Sequence, residues 1–191
     1  GDFDKAELYA YKAIYKAGTT DQMSVIICAN LVLMRICGLK GNFEQALEIL
    51  DSIYAEVELL NSPILSSAVD LCAGYISGVK GDENGFANWL KSGNIEKSDI
   101  LYQGTGFNYI VYGKYLVLKK DYIRLEVLVE NMLSGFTTFD NRLGFIHAYI
   151  LDAVAKYRLY GMETALPSLA SALDISREDK IVLPFAEYST P

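Results

Sequence analysis

The sequence predicts an all-α fold in which antiparallel helix pairs follow one another at a fixed interval. Three observations favour this fold class. A short apolar–basic–glycine signature recurs about every 40 residues, apolar residues return at helical spacing between its copies, and no stretch shows the sustained period-two alternation of a strand. The 191 residues suffice for one domain or one elongated array, and we expect a single domain over 1–191.

The signature marks a turn between two helices. Glycine adopts the left-handed backbone conformation that ends a helix at little steric cost. A basic residue before it meets the negative end of the helix dipole, and an Asp or Asn after it is suited to cap the next helix. The turn positions are Gly1, Gly41, Gly81, Lys120 and Gly161.

The turns divide the chain into helices that precede them and helices that follow them. We expect the preceding helices, the first of each pair, over 21–38, 62–79, 105–119 and 140–159. We expect the following helices over 2–17, 42–58, 82–91, 121–134 and 162–174. Two places break the pattern. The helix over 82–91 is short and leads into a polar stretch over 91–106, and Pro167 requires its helix to start late or to kink.

Helix pairs repeated at this spacing are typical of a solenoid of the tetratricopeptide (TPR) type. We therefore expect a TPR-like α-α superhelix of about four to five antiparallel pairs with a repeat of about 40 residues. Each pair buries its apolar stripe only against its neighbours, so the first helices should line a shared concave groove.

Composition excludes several classes of function. The hydrophobic fraction of 51% and the charged fraction of 21% are those of an ordinary globular protein. The net charge of −7 argues against nucleic acid as a partner, because phosphate binding needs a basic face. No run approaches the ~18 apolar residues of a membrane span. We interpret Cys28, Cys37 and Cys72 as small buried thiols in a reducing cytosol, and we expect a cytoplasmic protein.

The sequence contains no recognisable catalytic or metal-binding constellation. The glycines around 106–113 are too far apart for a phosphate loop, and Tyr115 stands where a magnesium-binding Ser or Thr belongs. His147, the single histidine, lies within a predicted helix, where a position on the helix surface or a hydrogen bond between helices is favoured over a catalytic role. Cys28 and Cys37 point to nearly opposite sides of their helix. We expect no enzyme, no metal site and no cofactor in this chain.

Equivalent positions of the first helices predict a ligand-binding ladder on the concave groove. Six residues before the turns stand Arg35, Tyr75 and Lys114, followed by Ala155 in the last repeat. Ten residues before the turns stand Leu31, Leu71 and Ile110, which we expect to form an apolar floor, and Arg158 lies three residues before the last turn. A groove with an apolar floor and a few polar groups fits an effector site. The alternative is that Arg35 and Lys114 extend to water and Tyr75 packs between helices.

Four stretches resemble a known family. They are Tyr11–Ala17, Trp89–Asn94, Asn108–Leu116 and Pro184–Tyr188. In order and spacing they are similar to the helical-repeat sensor region of MalT-like, ATP-dependent LuxR-type bacterial transcription regulators, over nearly the whole chain.

The resemblance implies a non-catalytic, effector-sensing or protein-interaction domain that is a fragment of a longer protein. In such regulators a nucleotide-binding module precedes the repeats and a helix-turn-helix DNA-binding domain follows them, so ATP and DNA binding would belong to the parent. The repeat region would bind a small-molecule or protein effector in its concave groove and transmit that event to self-association. The alternative is a plain TPR scaffold that binds a protein partner without a small-molecule effector.

Overall fold

A computed structural model describes residues 2–95, 105–139 and 141–188 of the chain. Every regular element in these ranges is a helix, so the all-α class is confirmed. The long helices are α1 (Phe3–Gly18), α2 (Met23–Leu39), α3 (Phe43–Leu60), α4 (Pro63–Lys80), α6 (Thr105–Leu118), α7 (Tyr122–Phe139), α8 (Arg142–Tyr160) and α9 (Met162–Asp179). The short ones are a 3-10 turn (Glu83–Gly85), α5 (Asn88–Lys91) and α10 (Leu183–Ala186).

The turns have the backbone that the signature predicts. Gly41, Gly81 and Gly161 have φ angles of 76°, 81° and 95°, and Lys120 takes the same left-handed region at 56°. Gly1 lies outside the described residues. The capping prediction is also confirmed at the turns where an Asp or Asn precedes a long helix, whereas α9 follows Gly161 without a side-chain cap. Side-chain oxygens of Asp2, Asn42 and Asp121 accept hydrogen bonds from backbone N–H groups three residues later.

The helices pack mainly against near neighbours in the chain. The first helices α2, α4, α6 and α8 contact one another in that order. The helices between them pack alongside, with α3 against α2 and α4 and with α7 against α6 and α8, while α1 packs on α2 and α9 on α8. A single hydrophobic cluster extends from Ile27 on α2 to Ala155 on α8, so the row of first helices shares one continuous core.

Two glycines set how closely the first helices approach. A Cβ atom at Gly74 on α4 would lie 2.7 Å from Val111 Cγ1 on α6. One at Gly113 on α6 would lie 2.6 Å from Leu151 Cδ1 on α8. Both separations are shorter than carbon atoms tolerate, so these crossings need glycine.

The predicted helix over 82–91 is wrong. The chain forms the 3-10 turn Glu83–Gly85 and the single-turn helix α5 instead. The cause is a close approach of the backbone to α4, where a Cβ at Gly85 would lie 1.9 Å from Ser77 Oγ. Phe86 is thereby buried at 3% exposure. Most of the polar stretch predicted to follow, over 91–106, lies outside the described residues.

The structure also decides two smaller predictions, the start of the helix that contains Pro167 and the burial of the three cysteines. Helix α9 begins at Met162 and runs through Pro167, so the late start weighed for that helix is wrong. Cys37 and Cys72 are buried thiols as expected, but Cys28 is exposed, so the burial predicted for it is wrong. No helix in the described part of the chain is both long and apolar enough to cross a membrane.

Candidate binding site

Polar side chains project from three successive first helices at the predicted ladder positions. Arg35 lies on α2, Tyr75 on α4 and Lys114 on α6. Because α2 contacts α4 and α4 contacts α6, the three positions follow one another across the array. We call the surface formed by these three side chains and His147 of α8 the inner face.

All three ladder side chains converge on Glu187, the residue that follows α10. Its Oε1 accepts a hydrogen bond from Arg35 Nε at 2.8 Å, and its Oε2 accepts one from the Tyr75 hydroxyl. Lys114 Nζ donates to the backbone carbonyl of Glu187 at 3.3 Å. Glu187 is only 2% exposed, so these donors replace the water that a buried carboxylate loses.

Tyr188 continues the same contact to the next helix. Lys114 Nζ lies 3.7 Å from the centroid of the Tyr188 ring, which is a cation–π geometry. The Tyr188 hydroxyl lies 3.2 Å from Nδ1 of His147 on α8, within hydrogen-bond distance. The dipeptide Glu187–Tyr188 therefore contacts α2, α4, α6 and α8 at once.

Burial shapes the charge of the inner face. It lowers the pKa of Lys114 to about 7, although the neighbouring Glu187 acts in the opposite direction. It lowers the pKa of His147 to about 3, with the positive charges of Lys114 and Arg35 adding to the effect. Burial also raises the pKa of Tyr75 and of Tyr188. At neutral pH the imidazole and both phenols are uncharged, and Arg35 is the permanent cation.

The segment that carries Glu187 is held by its own short helix and by apolar packing. We call Leu183–Tyr188 the carboxyl-terminal segment. Pro184 lies in the first turn of α10, and the Glu187 N–H donates to the Leu183 carbonyl at 3.2 Å. Phe185 and Tyr188 pack against a small cluster of Ile146, Ile150 and Ala172 from α8 and α9. This packing places Glu187 over the inner face.

The other predicted site residues lie at different depths. Leu71 and Ile110 are buried in the main core, at 2% and 6% exposure, and Leu31 packs against that core. Leu71 and Ile110 therefore do not form the open floor of a groove. At the spacing that aligns the first helices, these two side chains face neighbouring helices. Arg158 is exposed and lines a cavity of about 250 Å³ together with Lys114, Glu187 and Tyr188.

The weighed alternative for the ladder residues is resolved side chain by side chain. Lys114 does not extend to water, since it is 2% exposed. The Arg35 side chain is 25% exposed and ends on Glu187. Tyr75 is buried among the helices, but its hydroxyl bonds to Glu187. Ala155, the fourth ladder position, is buried. Helix α8 contacts the carboxyl-terminal segment through His147 instead.

Sequence reasoning missed Glu187 and Tyr188 as partners of the ladder. A signal was present, because Arg35 and Lys114 stand on otherwise apolar helices and a buried cation requires an anionic or π partner nearby. The partner is 152 residues from Arg35 in the chain, and helical periodicity carries no information over that separation.

Two other carboxylates, the half-buried Asp70 and the buried Asp152, join helices. Asp70 on α4 accepts hydrogen bonds from the Tyr54 hydroxyl of α3 and from Trp89 Nε1 of α5, both at 2.8 Å. Asp152 on α8 accepts one from the Ser168 hydroxyl of α9. Both carboxylates are thus bonded within the protein, and no group of three His, Cys, Asp or Glu side chains among the described residues is arranged to hold a metal.

Comparison with known proteins identifies no relative of this chain. No protein-family model, no curated protein and no solved structure matches the chain. The resemblance to the LuxR-type regulators therefore stays an expectation from the sequence motifs.

Proposed function

We propose that the chain is a non-catalytic, TPR-like binding module whose first helices line a shared concave groove. The observation that carries the proposal is the convergence of Arg35, Tyr75, Lys114 and His147, from four successive first helices, on the single dipeptide Glu187–Tyr188. Three of these side chains, Arg35, Tyr75 and Lys114, stand at repeat-equivalent positions, and such side chains meeting on one ligand-like group are typical of a solenoid binding surface. Binding, and not turnover, is the role that such a surface supports.

The superhelical arrangement is supported by the order of the helix contacts. Each first helix packs on the next first helix and on its own partner, and one core runs along the row. Local stacking of this kind is how repeat proteins bury apolar faces that a single pair cannot bury.

The chemistry of the inner face favours an acidic ligand with an aromatic group. It presents a guanidinium and a phenol to the carboxylate of Glu187 and an ammonium to the backbone carbonyl of that residue, and it surrounds a tyrosine ring with a cation and an imidazole. These groups lie inside a protein whose net charge is −7, so the inner face is a local positive site on an acidic molecule. An acidic effector would be attracted there by charge complementarity.

We place this module as the effector-sensing region of a LuxR-type, MalT-like cytoplasmic transcription regulator. The resemblance of four motifs in order supports this context. Effector binding would then act on self-association of the parent, and ATP and DNA would be bound by its other modules. The coding sequence on either side of this segment tests the context. We expect a phosphate-binding loop upstream and a helix-turn-helix downstream, and the absence of both would contradict it.

A thermal-shift titration tests the binding function. A panel of acidic sugars, aromatic acids and short peptides is titrated against the chain, and a ligand at one hundred times its dissociation constant should stabilise the fold by about 2.7 kcal/mol. The variant Arg35→Gln should abolish the shift, whereas Arg124→Gln on the exposed surface of α7 should retain it. A panel without any shift would contradict the small-ligand form of the proposal.

The plain protein-binding scaffold is the second candidate, and one observation favours it. The group that lies on the inner face is a peptide segment, the chain's own residues Leu183–Tyr188. Binding of a peptide without binding of any metabolite in the same titration would select the scaffold.

A further inference from the structure

The carboxyl-terminal segment lies on the inner face in the manner of a bound peptide. Its contacts to the ladder join residues 152, 112, 73 and 41 positions apart in the chain. They consist of hydrogen bonds and ring contacts made by two adjacent side chains, Glu187 and Tyr188. Charge-assisted hydrogen bonds and buried tyrosines are also the groups that anchor peptides in protein interfaces.

The connection between this segment and the rest of the fold is short. Helix α9 ends at Asp179, and Lys180 follows in the left-handed region with φ of 53°, a conformation that costs energy for a residue other than glycine. Only Ile181 and Val182 separate it from α10, and Val182 is 63% exposed. The segment is therefore tethered to the array by a three-residue linker.

The segment does not fill the space beside it. A cavity of about 300 Å³ lies between α8, α9 and the segment, lined by apolar side chains that include Tyr157, Leu166, Leu169 and Phe185. Leu166 is 52% exposed and Leu169 is 37% exposed. A ligand with a larger apolar residue at the place of Phe185 would bury this surface and gain about 25 cal/mol for each Å² removed from water.

We propose that the inner face is the docking site for a short segment of a partner protein in which a glutamate is followed by a tyrosine after an apolar helical turn, and that the chain's own Leu183–Tyr188 competes for that site. This inference rests on the proposed binding function and names its ligand class. The glutamate of the partner takes the place of Glu187 between Arg35 and Tyr75. Its tyrosine takes the place of Tyr188 between Lys114 and His147.

A tethered competitor has a predictable effect on affinity. A short linker gives the segment an effective concentration in the millimolar range. If the free segment binds with a dissociation constant of about 0.1 mM, the tethered copy occupies the face at about ten to one and weakens a partner about tenfold. Loosening the tethered copy should restore that affinity.

Fluorescence anisotropy with a labelled peptide tests this. The probe is the amidated peptide of sequence IVLPFAEY, residues 181–188, titrated with the full chain and with its variant Glu187→Gln. We expect the variant to bind the peptide about tenfold more tightly than the unaltered chain. A peptide with glutamine in place of its glutamate should bind the variant at least tenfold more weakly, and adding Arg35→Gln to the variant should remove binding.

Equal affinity for both chains, equal affinity for both peptides, or no binding would overturn the inference. If the peptide does not bind and the variant instead becomes dimeric by light scattering, the face belongs to a second copy of the chain, and the partner-protein inference is likewise wrong. A metabolite that shifts the melting temperature while the peptide fails would leave the proposed binding function standing without this ligand class.

Hydrogen exchange provides a second measurement should Glu187→Gln fail to fold. In the unaltered chain, an excess of the peptide should displace the tethered segment and speed amide exchange at Glu187 and Tyr188, whose N–H groups bond within α10. Unchanged exchange at a peptide concentration of several millimolar would overturn the inference.

Discussion

Lys120 occupies a turn position that three other turns of the array give to glycine. Its φ of 56° lies in the left-handed region, where a side chain with a Cβ costs about 1–2 kcal/mol relative to the right-handed region. We expect Lys120→Gly to raise the free energy of unfolding by about 0.5–1 kcal/mol, the gain being reduced by the greater freedom of glycine in the unfolded chain. Urea denaturation measures it.

The control for this prediction is Lys120→Ala. Alanine removes the same charged side chain but keeps the Cβ, so we expect no comparable gain in stability. A gain of the same size in both variants would assign the effect to the lysine side chain and not to the backbone.

His147 makes stability depend on pH through a group that stays uncharged in the fold. Its pKa is lowered to about 3 by burial and by the positive charges of Lys114 and Arg35, while in the unfolded chain it titrates near 6.5. Between these values the unfolded state binds the proton and the folded state does not, so stability falls as the pH falls from 6.5 toward 3. From pH 7 to pH 5 the loss should be about 2 kcal/mol.

The variant His147→Gln isolates this contribution, because the other titrating groups are present in both proteins. We expect its free energy of unfolding to change less between pH 7 and pH 5, by about 2 kcal/mol. An identical pH dependence of the two proteins would show that His147 has the same pKa in the folded and the unfolded chain.

At the scale of the element, the spacing of the first helices depends on two glycines. Gly74 and Gly113 allow α4, α6 and α8 to approach until a Cβ would overlap Val111 or Leu151. We expect Gly74→Leu or Gly113→Leu to lower the free energy of unfolding by about 1–3 kcal/mol, because the added side chain forces the helices apart. Thermal or urea denaturation measures the loss.

Gly135 within α7 is the matched control, since no atom lies within 4 Å of a Cβ built there. Gly135→Ala should stabilise the protein by about 0.5–1 kcal/mol through helix propensity alone. Stabilisation by the substitutions at Gly74 or Gly113 would show that the crossings are looser than the structure has them.

Some helices of this fold could be predicted from the sequence and others could not. The glycine turns and their caps predict the long helices, because both signals are local. The replacement of the helix over 82–91 by a 3-10 turn depends on contact between Gly85 and Ser77 of another element. The helix propensity of the local sequence does not depend on such a contact and therefore cannot predict it.

The sequence predicts one part of the candidate site, the ladder side chains, but not the residue that they contact. Repeat spacing places Arg35, Tyr75 and Lys114 at equivalent positions, and the structure brings them to one residue, Glu187. The same spacing does not distinguish a groove floor from a core, so Leu71 and Ile110 were placed wrongly. The identity of Glu187 as the common partner depends on contacts between residues up to 152 positions apart, which form only in the folded chain.

At the scale of the whole molecule, the carboxyl-terminal segment ties the array together. One dipeptide is bonded to four first helices, whose main contacts with one another are between neighbours in the row. If an external segment replaced this dipeptide, contacts between two chains would replace the present contacts within one chain. Binding of the proposed partner on the inner face would thereby be connected to the arrangement of all four helices.

The coupling energy between Arg35 and Glu187 tests this account most directly. A double-mutant cycle with Arg35→Gln and Glu187→Gln, followed by urea denaturation, should give about 1–3 kcal/mol of coupling across 152 residues of sequence. The exposed pair Asp121 and Arg124, whose charged atoms lie 3.4 Å apart, should give far less in the same cycle. Coupling between Arg35 and Glu187 no larger than that of the exposed pair would show that the carboxyl-terminal segment does not lie on the inner face.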